Sequence, residues 1–351
     1  MEMLSTMTLQ SNASQQAGCY IQATFNEVAT KEVHKNAKAI ELNPYKRLLC
    51  ILTDSCIEHM DVFNDGTMGE IVNTWPFNAN QMRFCRNGFA LITEDHQLSL
   101  ITSRGYRVKV VNDFEKASMG CNLWGIDLHE EEGYMYIGDN SSCTLWRRRF
   151  PKLDRIRSDK DFQFRYQNTS VEINHVMSFD ASTIIVNDFG GGLFLHQSGT
   201  NEVSIINAGA LGLDGFGGAL CKDSEADIIF TIWPQRRLIY AFTLDKEKNF
   251  EVVGAGKHRM SRLTPVEMTF DCDNKYLYVL GRDEENDDKM FVTCFEVGYH
   301  MVGTARDSYI GQGFLEPSRS DRMSQFQISQ DDVSRLYQQS LDTDSVDEFF
   351  V

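Results

Sequence analysis

The stretch WGIDLHEEEGYMYIGDNSSCTLWRR, residues 124–148, sets three short apolar segments in a row and separates them with polar turns. The first, LWGIDL, alternates in character as a half-buried strand does. The second, YMYIGDN (134–140), closes on an acidic turn, and the third, TLWRRRF (144–150), begins a few residues later.

The same unit recurs on both sides of this stretch. LLCILTD (48–54) leads to IEHMDVF (57–63), and FALITED (89–95) to LSLIT (98–102). Further on, TIIVNDF (183–189) leads to LFLHQ (193–197), DIIFTIW (227–233) to RLIYAFTL (237–244), and YLYVLGRD (276–283) to MFVTCFEV (290–297). Each pair follows an alternating strand (KAIELN, NQMRFC, LWGIDL, HVMSFD, GGALCK, VEMTFD), and a fourth strand such as EIVNTW or RVKVVN comes after. The turn acids Asp54, Asp95, Asp139, Asp188 and Asp283 stand 41, 44, 49 and 95 residues apart, the last gap spanning two periods because the fifth copy carries Trp233-Pro234 there.

Four strands at this period predict an all-β, six-bladed β-propeller. A single blade has two apolar faces and no stability alone, so the blades must bury one another and close a ring. The segment CYIQATFNEVA is expected to close the last blade as one strand; a seventh blade from residues 18–30 and 300–315 is the alternative. The turn acids are read as turn formers, since Asp bonds its own backbone at tight turns. They are not expected to form a metal ring.

Residues 124–148 resemble the NHL type of repeat, with Gly125, Ile126, Asp127, Tyr136, Ile137, Asp139 and Trp146 at its positions. The opening Pro of that repeat occurs in one blade, as Pro265, and the third-strand Arg is mostly replaced. The resemblance covers roughly residues 36–315 in spacing and implies a six-bladed ring. Because some NHL propellers bind RNA, it also makes RNA binding an alternative activity. A second resemblance, to six-bladed propellers of the gluconolactonase and regucalcin type, implies a channel metal on Glu267, Asn174 and Asp188, and a metal-dependent hydrolase as a further alternative.

The rest of the chain bounds the reading. Net charge is −16, with 34 Lys and Arg against 50 Asp and Glu, which disfavours general attraction to nucleic acid or anionic lipid. At 42 % hydrophobic with 23 Phe and 12 Tyr the chain is a folded protein. Its start lacks the basic and apolar regions of a signal peptide, no run approaches a membrane span, and nine cysteines suit reduced thiols, so a cytoplasmic or nuclear location is expected. Residues 1–17 read as a disordered arm, 18–315 as the propeller and 316–351 as an acidic tail of net charge −5. Within the tail, Val333, Leu336, Tyr337 and Leu341 form one stripe of a short amphipathic helix over 331–341.

No phosphate-binding loop, zinc-hydrolase His pair, CxxC or nucleophile elbow occurs in the sequence. Gly254 to His258 only partly resembles a phosphate loop and is read as a turn, as are the glycine runs 190–192 and 215–218. The acidic stretch Asp283 to Asp288 is read as a solvated loop. Against the acidic background, residues 146–165 carry eight basic side chains and three acids, a net +5. Basic residues interleaved with aromatics suit an acidic protein segment or a nucleic-acid strand. The expected function is a non-enzymatic protein–protein interaction scaffold without catalytic residues, metal, cofactor, small-molecule substrate or membrane contact. Arg147, Arg148, Arg149, Lys152, Arg155 and Arg157 are its candidate contacts to an acidic partner segment, with the stripe Val333, Leu336, Tyr337 and Leu341 docking elsewhere.

Overall fold

The structure is a computed structural model that describes residues 20–85, 88–111, 122–129, 132–150, 152–155, 162–167, 169–197, 203–206, 218–246 and 250–302. These residues form an all-β ring of six blades, and no α-helix occurs among them. The chain divides into a unit 1–302, which holds all the blades, and 303–351. The expected arm, the boundary at residue 315 and the helix over 331–341 lie outside the described residues.

Blade 1 comprises Ala39–Asn43, Leu48–Leu52, Ile57–Val62 and Met68–Trp75 from the channel outward. Blade 2 comprises Ala79–Cys85, Gly88–Thr93, Leu98–Thr102 and Arg107–Val111. Blade 3 has Leu123–His129, Tyr134–Asp139 and Thr144–Arg149, and its outer strand is split: Asp154–Arg155 pairs with one end of the third strand and Phe162–Gln163 with the other. Blade 4 comprises Ile173–Ser178, Thr183–Asp188, Leu193–Gln197 and Val203–Ile205, and blade 5 comprises Leu220–Asp223, Ile228–Trp233, Leu238–Asp245 and Glu251–Arg259. Blade 6 has Leu263–Asp271, Tyr276–Asp283 and Met290–Val302, and its outer strand is Tyr20–Val33 from the other end of the chain. One strand therefore closes the ring, as expected, and the seven-bladed alternative is not taken because residues 20–33 have no blade of their own to build.

Why the sheets need one another is visible in the core. The buried apolar residues fall into six clusters, and each cluster belongs to one seam between neighbouring blades. At the seam of blades 5 and 6, Phe230 stacks on Phe270 at 4.9 Å between centroids, and Phe25 of the closing strand meets Phe230 edge-on at 6.3 Å. At about 1.5–3 kcal/mol gross per buried large side chain, every seam matters, and an open ring would expose two faces at once.

The turns follow from their residues. Asn43, Asp223 and Asp271 end the inner strands of blades 1, 5 and 6, and each accepts from backbone N–H groups just ahead: Lys46 at 3.1 Å, Glu225 at 3.0 Å and Asp273 at 3.2 Å. Four residues on, Arg47, Asp227 and Lys275 take positive φ of 53°, 52° and 59° to re-enter the sheet. Of the turn acids read from sequence, Asp139 accepts from Ser141 N at 3.1 Å, Asp188 from Gly192 N, and Asp283 from Glu285 N at 3.0 Å. Glycines 190–192 lie at that second-to-third-strand turn of blade 4. Gly254 to His258, expected as a turn, instead runs within the outer strand Glu251–Arg259, where Gly256 packs against the Ala23 carbonyl of the closing strand. A side chain there would block that approach.

Candidate functional site

The six inner strands each carry a polar residue within two positions of the end that leads into the first turn: Glu41, Arg83, Asp127, Ser178, Lys222 and Thr269. The structure strings most of them into a belt around the channel. Arg83 Nη1 donates to Glu41 Oε1 at 2.8 Å, tying blade 2 to blade 1, and its Nε lies 2.6 Å from Asp127 Oδ1 of blade 3. Asp127 Oδ2 accepts from the Ser178 backbone N–H of blade 4 at 2.5 Å. Lys222 of blade 5 donates to the Phe179 carbonyl at 2.8 Å, and the Leu42 N–H donates to Thr269 Oγ1 at 3.3 Å, joining blade 1 to blade 6. The remaining seam, between blades 5 and 6, is closed nearer the turns, where Asp223 accepts from Lys275 at 2.8 Å and from the Tyr299 hydroxyl at 2.9 Å.

Glu41, Arg83, Gln81, His175 and Glu267 line a cleft that admits about one water-sized sphere. His175 Nε2 lies 3.6 Å from Glu267 Oε1, and Gln81 accepts from the Gly125 N–H at 2.8 Å. Burial, with a smaller addition from the like charges of Glu267 and Asp127, pushes the Glu41 carboxyl up to about 7 against the opposing Arg83 guanidinium. Burial opposes the Arg83 charge as well, but Asp127 and Glu41 outweigh it and raise the guanidinium's pKa. Lys222 is held below its usual range by burial. One cation between two buried carboxylates is an arrangement that fastens three blades together.

The residues nominated for a channel metal have other engagements. Asn174 Oδ1 accepts from Trp124 Nε1 at 2.9 Å, Glu267 faces His175 and accepts from the Met268 N–H at 3.0 Å, and Asp188 sits at a blade turn among Gly190 to Gly192. Among the described residues no three His, Cys, Asp or Glu side chains group as a metal would need. The acidic loop after Asp283 is cross-linked to basic neighbours: Arg262 to Asp283 at 2.7 Å and Arg237 to Glu284 at 2.5 Å.

The basic strip divides by strand alternation. Arg148, at 1 % exposure, faces inward with Trp146 and lies 4.9 Å from that ring, so it is not a surface contact. Arg147 is half-buried over Tyr134 at 4.5 Å, while Arg149 and Lys152 are exposed. The Arg155 backbone pairs with Arg148. Arg157, Val333, Leu336, Tyr337 and Leu341 lie outside the described residues.

A different surface stands out in exposure. Of the eight large apolar side chains exposed among the described residues, six belong to blades 1 and 2: Tyr45, Phe63, Ile71, Val72, Tyr106 and Val110. Both the channel belt and this surface were missed by motif reading. The belt had a signal, a charged residue in the second half of KAIELN, NQMRFC, LWGIDL and GGALCK; the surface had another, aromatics in the turns NPYK, FNDG and RGYR.

No protein-family model matches the sequence, and no curated protein matches it. Solved structures that resemble it include a putative 6-phosphogluconolactonase from Bacteroides fragilis, at 11 % identity over 77 % of this chain and 83 % of that one, with a TM-score of 0.48. The WD40 β-propeller domain of Doa1 follows at 14 % identity, 73 % and 77 % coverage and a TM-score of 0.48. Virginiamycin B lyase from Staphylococcus aureus has 9 % identity, 78 % and 99 % coverage and a TM-score of 0.47.

Proposed function

We propose that the chain is a non-enzymatic platform, a closed ring that presents its turns and outer strands to partner proteins. One observation carries this reading: exposed large apolar side chains concentrate on blades 1 and 2, with six of eight there among the described residues. Scattered exposed apolar residues are ordinary on a soluble protein, whereas a concentration on adjoining blades is the mark of a contact surface. The channel supports the same reading from the other side, since its charged side chains are joined across the blade seams. The NHL-like character of residues 124–148 has local support in Gly125, whose φ of 80° suits glycine and whose added Cβ would come within 3.1 Å of Val176. A cytoplasmic or nuclear setting belongs to this proposal.

Capture of the tagged full-length chain from its native cells, with and without nuclease, tests it. Protein partners retained in near-stoichiometric amounts after nuclease are the expected result. Loss of every protein on nuclease treatment would overturn it in favour of nucleic-acid binding.

A further inference from the structure

In a blade of antiparallel strands, the turns from first to second and from third to fourth strand emerge on one face of the ring, and the turn from second to third on the other. Tyr45 lies in the first-to-second turn of blade 1, Phe63 in its third-to-fourth turn, and Tyr106 in the third-to-fourth turn of blade 2, so all three share a face. They are 69 %, 52 % and 70 % exposed.

These side chains stand on fixed backbone. Val62 N–H donates to the Arg47 carbonyl at 3.0 Å and Arg47 Nη2 donates to the Phe63 carbonyl at 3.1 Å, which binds the two turns of blade 1 together. The Phe63 turn is closed by Phe63 N–H to the Thr67 carbonyl at 2.9 Å, and Gly66, at φ 82°, lies where a Cβ would come 2.9 Å from the Tyr276 ring. Tyr45 reaches across the seam to Phe84 of blade 2 at 6.0 Å between centroids. The Tyr106 turn is seated on blade 1 through Gly105, at φ 81°, whose Cβ would come 2.9 Å from the Trp75 ring. Turns of this kind favour Asn, Asp, Gly and Ser. Aromatics placed there forgo the roughly 25 cal/mol per Å² that burial of their surface would contribute, and they gain it when a partner covers them.

The charge of this rim runs against the chain. Lys46, Arg104 and Arg107 are exposed and have no acidic partner among the described residues, although the whole chain is −16. Asp65, the one acid of these turns, is exposed but accepts within its own turn from the Thr67 hydroxyl at 2.6 Å and the Thr67 N–H at 3.0 Å, and Asp61 on the strand below is half-buried. Tyrosine and arginine around an apolar centre are the residues that dominate protein–protein contacts.

We propose that the rim at the seam of blades 1 and 2, formed by Tyr45, Phe63 and Tyr106 with Lys46, Arg104 and Arg107, docks an acidic segment of a partner protein that also carries an apolar or aromatic side chain. The inference rests on the platform reading and gives that reading a face and a partner chemistry. An acidic peptide fits better than an RNA strand. RNA carries a charge on every nucleotide against a chain of net charge −16, with three rim cations to release counterions, whereas a peptide can match a few acids to those cations and cover the aromatics with an apolar side chain.

The test measures binding to full-length protein by anisotropy of a short labelled peptide of Asp, Glu, Phe and Leu. Its controls are the same peptide with Asn and Gln replacing the acids, and an oligouridylate. The acidic peptide should bind and weaken with salt, and Arg104→Glu/Arg107→Glu or Tyr45→Ser/Tyr106→Ser should each weaken it about tenfold or more, close to 1.4 kcal/mol or above. Arg149→Glu/Lys152→Glu, on the blade 3 strip, should leave it unchanged, and the unfolding midpoint of each variant shows that it is folded. Absence of binding, equal binding of the neutral peptide, tighter binding of the oligouridylate, or loss only in the blade 3 variant would overturn the proposal. Binding that emerges only when residues 303–351 are removed would also overturn it, by giving the surface to this chain's own acidic tail. Partners captured from cells by the native chain and retained by Arg104→Glu/Arg107→Glu would sink the rim while leaving the platform standing; capture of no protein at all would sink the platform.

Discussion

The channel belt and the blade 1–2 rim use similar residues to opposite ends. In the channel, Arg83 faces Glu41 at 2.8 Å and Asp127 at 2.6 Å; the two carboxylates are 11 % and 3 % exposed and the guanidinium side chain 26 %. On the rim, Lys46, Arg104 and Arg107 stand in solvent beside Tyr45 and Tyr106. A charged side chain that bridges two blades is part of the ring's closure. One set beside exposed aromatics on a rigid turn is free to meet something else. Changes in the first region should therefore be read in stability and changes in the second in binding.

The largest effect should come from removing the closing strand, residues 20–33. That deletion uncovers the outer edge of blade 6 and strips Ala23 and Phe25 from the seam with blade 5. The truncated chain should lose cooperative unfolding by denaturant; a sharp, native-like transition would show that the ring does not need its closure.

Next in size is Asp271→Ala. The Asp271 side chain is 1 % exposed, ion-paired with Arg47 across the seam of blades 6 and 1, and the acceptor for its own turn. Its loss should cost about 2–4 kcal/mol in urea unfolding, since it strands a partly buried guanidinium as well as breaking bonds. A cost as small as that of a surface change would place this seam outside the belt's logic.

A smaller effect concerns pH. Glu41 has its folded carboxyl raised to about 7 by burial, against about 4.3 when unfolded. Its contribution is therefore present in full below about 4.3 and is lost as pH rises through about 7. Glu41→Gln cannot ionise, so its stability relative to the native chain should be better at pH 8 than at pH 5, as unfolding curves at the two values would show. The same difference at both pH values would mean that Arg83 holds Glu41 ionised throughout.

The smallest effect belongs to the rim, where Tyr106→Ser should change stability by no more than about 0.5 kcal/mol. A larger loss would make Tyr106 part of the ring's packing and remove it from the surface argued for binding.

Much of this fold is legible in the sequence because a propeller repeats its problem. Each blade must bury two faces and return its strands through tight turns, so apolar runs and turn acids recur every 41 to 49 residues. Even the closing strand follows, since CYIQATFNEVA has no copy to belong to. The channel was harder to read because bulges at Ile173/His175 and Pro265/Glu267 shift the inner strands, so spacing within the motifs does not settle which side chains meet. The triple arginine shows the opposite error: as a string it is a basic strip, but period-two alternation turns Arg148 inward beside Trp146 while Arg149 stays outside. Tyr45 and Phe63 are distant in a blade's strand order and become neighbours only when Arg47 joins their turns, which no local pattern announces.

The channel's charges hold the ring and the rim's side chains do not, a division that urea unfolding of Arg83→Met beside Tyr45→Ser/Tyr106→Ser would expose. Arg83→Met should lose about 3–5 kcal/mol, the cost of leaving buried carboxylates without their cation, while the tyrosine pair should stay within about 1 kcal/mol of the native chain. An Arg83→Met protein as stable as the native one, or a tyrosine pair that costs as much, would mean that the channel's charges do not hold the ring.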